Sequence, residues 1–90
     1  MSFFDYNANK VWFTNKEIFV ELDDGRQASL PLKQFPLLDN ATLKQRKNFE
    51  LIGTGYAIHW LDIDEDLSVA GFFENKTVKE YKRDRQKIKK

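Results

Sequence analysis

Residues 53–68 read GTGYAIHWLDIDEDLS, and this stretch decides the fold. Tyr56, Ile58 and Trp60 alternate with Ala57 and His59, a period of two that lays three large apolar side chains on one face of a strand. Beyond Trp60 the character changes. Asp62, Asp64, Glu65 and Asp66 place four carboxylates in five positions, a density of like charge that opposes burial. The expectation is a buried strand running into a solvated acidic loop.

Working upstream, Gly53-Thr54-Gly55 separates Phe49–Ile52 from Tyr56–Trp60 and reads as the turn of a hairpin. Thr42-Leu43-Lys44-Gln45 fits a capping box, which predicts a short helix from Thr42 to near Asn48. Pro31 and Pro36 each lack an amide donor, so the segment between them is expected to cross as a loop, with Phe35, Leu37 and Leu38 as its anchors. Further back, Lys10–Thr14, Glu17–Leu22 and Arg26–Leu32 read as a three-stranded meander turning at Asn15-Lys16 and at Asp23-Asp24-Gly25. Ile18, Val20 and Leu22 share one face, and Ala28, Leu30 and Leu32 point the same way inward. Downstream, Asp66 or Ser68 is placed to cap a helix through Val69, Phe72 and Phe73. The predicted fold is a single small α+β domain: an antiparallel sheet, three-stranded meander plus hairpin, packed with short helices and followed by a basic C-terminal helix or tail.

Composition narrows the class. Ninety residues with 41% hydrophobic and 14% aromatic content suffice for one modest core. With no cysteine in the chain, disulfides, thiolate catalysis and the common structural zinc sites are excluded together. The apolar runs are too short for a membrane-spanning helix, and MSFFDYNANK lacks the features of a signal peptide, so a cytoplasmic, soluble protein is expected. The net charge of +1 conceals an asymmetry. Residues 76–90 carry eight basic groups against Glu80 and Asp84, a balance of +6, whereas residues 1–75 hold seven basic and twelve acidic groups, a balance of −5. Two segments follow from this: a compact body over 1–75 and a basic tail over 76–90, the latter with Val78, Tyr81 and Ile88 on a thin apolar stripe.

Three stretches in this order and spacing, DGRQASLPL (24–32), FPLLDNATLKQRKNFEL (35–51) and GYAIHWLDIDEDLSV (55–69), resemble the small bacterial Domain of Unknown Function 2442 family. The resemblance covers Val11 to Phe73, and His59-Trp60 followed by Asp64-Glu65-Asp66 and Ser68 is its most specific part. It implies a compact α+β domain with an antiparallel sheet, and no assigned reaction. It also implies a setting: similar domains are often encoded beside another small protein in pairs suspected of being toxin–antitoxin-like, and some carry an added DNA-binding helical domain. This chain departs from the pattern at Leu61-Asp62, where the family usually places Pro-Glu.

Three chemistries compete for the acidic stretch and the tail. Asp62, Asp64 and Asp66 match the first, third and fifth positions of a calcium loop, but Leu67 stands where the sharp turn needs glycine and Phe73 where a bidentate glutamate is required. A solvated acidic loop ahead of a helix explains the same carboxylates, so no metal or cofactor is expected. His59 with Asp64 or Asp66 has the composition of a carboxylate-oriented general base, and Ser68 is the nearby hydroxyl, which frames a small hydrolase or metal-dependent enzyme as one alternative. No nucleophile elbow, phosphate loop or second histidine accompanies them. Lys79, Lys82, Arg83, Arg85 and Lys87 frame another alternative, a nucleic-acid-associated regulator acting through the tail. The leading expectation is a non-enzymatic module that binds a protein partner, the product of an adjacent gene. A second copy of the chain is a further candidate. The expected contact residues are Thr54, His59, Trp60, Asp64, Glu65 and Asp66, an aromatic anchor beside charges. Trp12 and Trp60 serve equally well as core residues.

Overall fold

Alternation of Ile18, Val20 and Leu22 with Glu17, Phe19 and Glu21 builds the central strand of the first sheet, since each apolar residue of the first set is buried. The structure, a computed structural model, describes residues 5–74. Strands β1 (Ala8–Phe13), β2 (Glu17–Leu22) and β3 (Gln27–Pro31) form an antiparallel sheet in that order. Val11 faces Val20, Phe13 faces Ile18, and Ala28 and Leu30 complete the inner face from β3. A bulge between Ala8 and Lys10 shifts the register at the start of β1. Trp12 and Phe19 stack on the outer face, with ring centroids 5.3 Å apart and planes at 9°.

The second sheet is β4 (Phe49–Ile52), β5 (Ala57–Trp60) and β6 (Glu65–Ser68), also antiparallel and also in chain order. In the chain, the two sheets are connected through a 3₁₀ turn at Leu32–Gln34, a single helical turn α1 (Pro36–Asp39) and the short helix α2 (Leu43–Lys47). The capping box of α2 is present in full: the Thr42 hydroxyl accepts from the Gln45 N–H at 3.1 Å, and the Gln45 side chain accepts from the Thr42 N–H at 3.0 Å. The described residues therefore form an α+β domain of two three-stranded antiparallel sheets with a few short helices, and none of these helices is long and apolar enough to cross a membrane.

Trp60 joins the layers. It is fully buried, with Phe13 of the first sheet and Phe49 of the second at ring centroid distances of 6.4 and 6.1 Å. Around it Ile18, Val20, Leu32, Leu38, Ile58, Leu67 and Val69 are buried to completion or nearly so, and each such side chain contributes on the order of 1.5–3 kcal/mol of transfer free energy. At one end the layers are stitched by backbone, the Ala8 N–H donating to the Gly55 carbonyl at 2.8 Å. Gly55 has φ of 107°, and a Cβ there would strike the Ala8 carbonyl oxygen, so two separate constraints require glycine. A second stitch is chemical: Arg26 lies over the rings of Tyr6 and Phe73, which stack on each other at 5.5 Å.

Four expectations are corrected. Residues Glu65–Ser68 are a strand, not the end of an acidic loop, because reversing the chain at Leu61–Asp64 lets Leu67 pair with Ile58 on the core face. Glu65 is accordingly 6% exposed rather than solvated. The helix expected through Val69, Phe72 and Phe73 is only a 3₁₀ turn, Ala70–Phe72, in which the Ser68 hydroxyl accepts from the Gly71 N–H. The loop between the prolines is folded into turns, anchored by Leu32, Phe35 and Leu38, while Leu37 points outward at 49% exposure. Pro36 opens α1 at its first position, where a missing N–H costs nothing. Residues 76–90, expected as a basic helix or tail, lie outside the described residues.

Candidate functional site

Register places three polar side chains in one row across the second sheet. Glu50 of β4 stands opposite His59 of β5, which stands opposite Asp66 of β6. Because Ile58 and Trp60 face the core, this row occupies the outer face. His59 Nδ1 and Asp66 Oδ1 are 2.5 Å apart, with the imidazole about a third exposed and the carboxylate mostly covered. A short contact of this kind fixes the ring and leaves Nε2 as the edge available for contact.

The turn beside the row extends its charge. Asp62 accepts from the Asn48 side-chain amide at 2.9 Å, which ties the β5–β6 turn to the end of α2. Asp64 is exposed in the same turn. Thr54 sits apart, at the tip of the β4–β5 hairpin, where its hydroxyl donates to the Asn7 side-chain oxygen at 2.5 Å.

Two of the residues expected at a contact surface are inside the protein. Trp60 is 0% exposed, and its indole N–H donates to the Arg46 carbonyl at 2.9 Å, so its place is in the core rather than at an aromatic anchor. Glu65, directly opposite Trp60, shares that inward face. His59, Asp64, Asp66 and Thr54 remain accessible in differing degree. Lys79, Lys82, Arg83, Arg85 and Lys87 lie outside the described residues.

Glu50, which completes the row, is not among the contact residues expected from the sequence. Its signal was available: a hairpin closing at Ile52 and Ala57 around Gly53 and Gly55 puts residue 50 opposite residue 59 by counting back.

The chemistry this row supports is limited by its neighbours. Asp62 and Asp66 are engaged by Asn48 and His59 respectively, and among the described residues no three histidine, aspartate or glutamate side chains are gathered as metal ligands. The His59–Asp66 pair has the geometry of an oriented base. Ser68 lies two residues along the same strand on the same outer face but is 3% exposed, with its hydroxyl engaged by the Gly71 N–H. One shallow groove runs between β1 and β4 and another depression lies beside Leu43 and Lys47; neither is lined by His59. What the row does present is a polar surface on the outer face of the sheet, with His59 and Asp66 held by their mutual contact.

Comparison with known proteins supports the fold and family and adds no reaction. No curated protein matches the chain. A crystal structure of a protein of unknown function from Rhodospirillum rubrum is similar, with a TM-score of 0.63 at 27% identity, covering 78% of this chain and 93% of that one. A family model described as protein of unknown function (DUF2442) matches residues 8–78, and the chain belongs to that family.

Proposed function

We propose that the chain is a non-enzymatic interaction module whose second sheet presents its outer face to a protein partner, the product of an adjacent gene in a toxin–antitoxin-like or regulatory pair. The observation that carries this reading is the Glu50–His59–Asp66 row, a fixed polar surface on a strand trio whose other face is committed to the core. Polar groups presented from paired strands orient a partner, and the His59–Asp66 contact lowers the entropic cost by ordering two of them beforehand. The net charge of −5 on residues 1–75 favours a basic partner.

Affinity capture from the native host, read by mass spectrometry, tests it. The full chain should enrich one small protein, and recovery should survive nuclease and persist when Lys82, Arg83, Arg85 and Lys87 are replaced by glutamine. A variant carrying Glu50→Lys and Asp64→Lys should lose it. Equal recovery by that variant would contradict the reading, and recovery that collapses with nuclease would favour a nucleic-acid role for the basic segment.

A further inference from the structure

The two sheets leave edges facing each other. In an antiparallel ladder, residues that exchange hydrogen bonds alternate with residues whose backbone groups point away from the partner strand. The Thr14 N–H donates to the Glu17 carbonyl at 2.9 Å, which fixes the phase of β1 on β2. Trp12 and Lys10 then bond to β2, and the backbone groups of Val11 and Phe13 point to the open edge. Likewise the Leu61 N–H donates to the Asn48 carbonyl at 3.0 Å, so Glu50 and Ile52 bond to β5 while Phe49 and Leu51 point their backbone groups outward. Among the described residues, Ala8 N–H to Gly55 C=O is the backbone bond that joins β1 to the β4–β5 hairpin, and no such bond spans Val11 and Phe13 to Phe49 and Leu51.

Beside these edges runs the groove, lined by Val11, Trp12, Phe49 and Leu51 and, across the first sheet, by Lys10, Glu21 and Gln27. Its apolar lining is half-buried, not covered. The far edge of the first sheet, by contrast, ends in Pro31, a residue that blocks strand addition. On the outer side Lys10 stands opposite Glu21, whose carboxylate accepts from the Gln27 side chain at 2.7 Å, and Glu50 stands beside the His59–Asp66 pair; neither Lys10 nor Glu50 forms an ion pair among the described residues. The balance of −5 over residues 1–75 favours a basic side chain beside Glu50.

We infer that the open edges of β1 and β4 accept an extended segment of a partner protein as an added strand, its alternate side chains apolar toward Val11 and Leu51 and its outward side chain beside Glu50 basic. Main-chain bonds to the paired edges supply the affinity, and the alternating pattern supplies the specificity. The inserted strand joins the two sheets into one. This deepens the interaction reading by giving the partner's form, and it can fail while the outer-face contact stands.

The probe is a capped peptide of about seven residues alternating valine and lysine, titrated into the full ¹⁵N-labelled chain. Amide exchange at Val11, Phe13, Phe49 and Leu51 should slow by about tenfold or more. A peptide with glutamate in place of lysine should bind more weakly. Glu50→Lys should weaken the lysine peptide by about two- to fivefold, the worth of one cross-strand charge pair. Three results would overturn the inference. They are no change at the four amides with either peptide; perturbation confined to Glu50, His59 and Asp66, which leaves the outer-face reading intact; and slowing of the same amides with protein concentration alone, which makes a second copy the occupant.

Discussion

The indole N–H of Trp60 donates to the carbonyl of Arg46 at 2.9 Å, and Arg46 in turn donates from Nε to the Leu38 carbonyl and from Nη2 to the Asp39 carbonyl, both at 2.9 Å. One buried ring thus holds the helical segment against the second sheet. Trp60→Phe removes the donor, leaves the Arg46 carbonyl without its partner and opens space in the core. A loss of about 2–4 kcal/mol is expected in urea unfolding. A loss under about 1 kcal/mol would show that Arg46 holds its position without the tryptophan.

Gly55 and Gly25 both have positive φ, 107° and 91°, yet their surroundings differ. A Cβ at Gly25 meets nothing within 4 Å, whereas one at Gly55 strikes the Ala8 backbone. Gly25→Ala should cost about 1–2 kcal/mol, the strain of the backbone conformation alone. Gly55→Ala should cost at least about 2 kcal/mol more, because β1 must move away from the hairpin. Thermal melts of the two variants side by side measure the difference.

Tyr6 is buried, and its hydroxyl has a pKa raised above the ordinary tyrosine value, by burial first and then by its hydrogen bond to Glu74 and that carboxylate's charge. A raised folded-state value means that the folded protein holds the proton more tightly. The associated stability is complete below the unfolded value of about 10 and is lost as pH rises through the folded value. Melting temperature should therefore fall above about pH 10, and Tyr6→Phe should flatten that fall. An equal alkaline loss in the variant would assign it to other groups.

How much of this was legible in the sequence depended on how local the cause was. The α2 capping box lies within four residues, Thr42 to Gln45, and the hairpin turn within Gly53-Thr54-Gly55; both were read correctly because short-range chemistry determines them. Strand β6 was not. Glu65-Asp66-Leu67-Ser68 has the composition of a loop, and only pairing with β5 turns it into a strand that buries Glu65 opposite Trp60. The same non-local register places Glu50 in the row and removes Trp60 from the surface. Leu37 and Leu38 are indistinguishable by hydropathy, and the direction of α1 decides that only Leu38 is buried. His59 was placed correctly on the face opposite Trp60, since strict alternation within β5 requires it.

The His59–Asp66 contact is proposed as an organiser of the outer face, and its energy is measurable without a partner. A double-mutant cycle with His59→Ala and Asp66→Asn should return a coupling of about 0.5–1 kcal/mol near neutral pH, modest because the imidazole is partly exposed. Additive single changes would mean that the pair contributes no order to the surface.

Where a captured partner touches the domain decides whether the outer face of the second sheet is the contact surface. Hydrogen–deuterium exchange of the complex, compared with the chain alone, gives that directly. Protection is expected in the segments spanning Phe49–Ile52, Ala57–Trp60 and Glu65–Ser68, strongest where Glu50, His59 and Asp66 lie. Protection confined to residues 76–90, with the second sheet unchanged, would contradict the account.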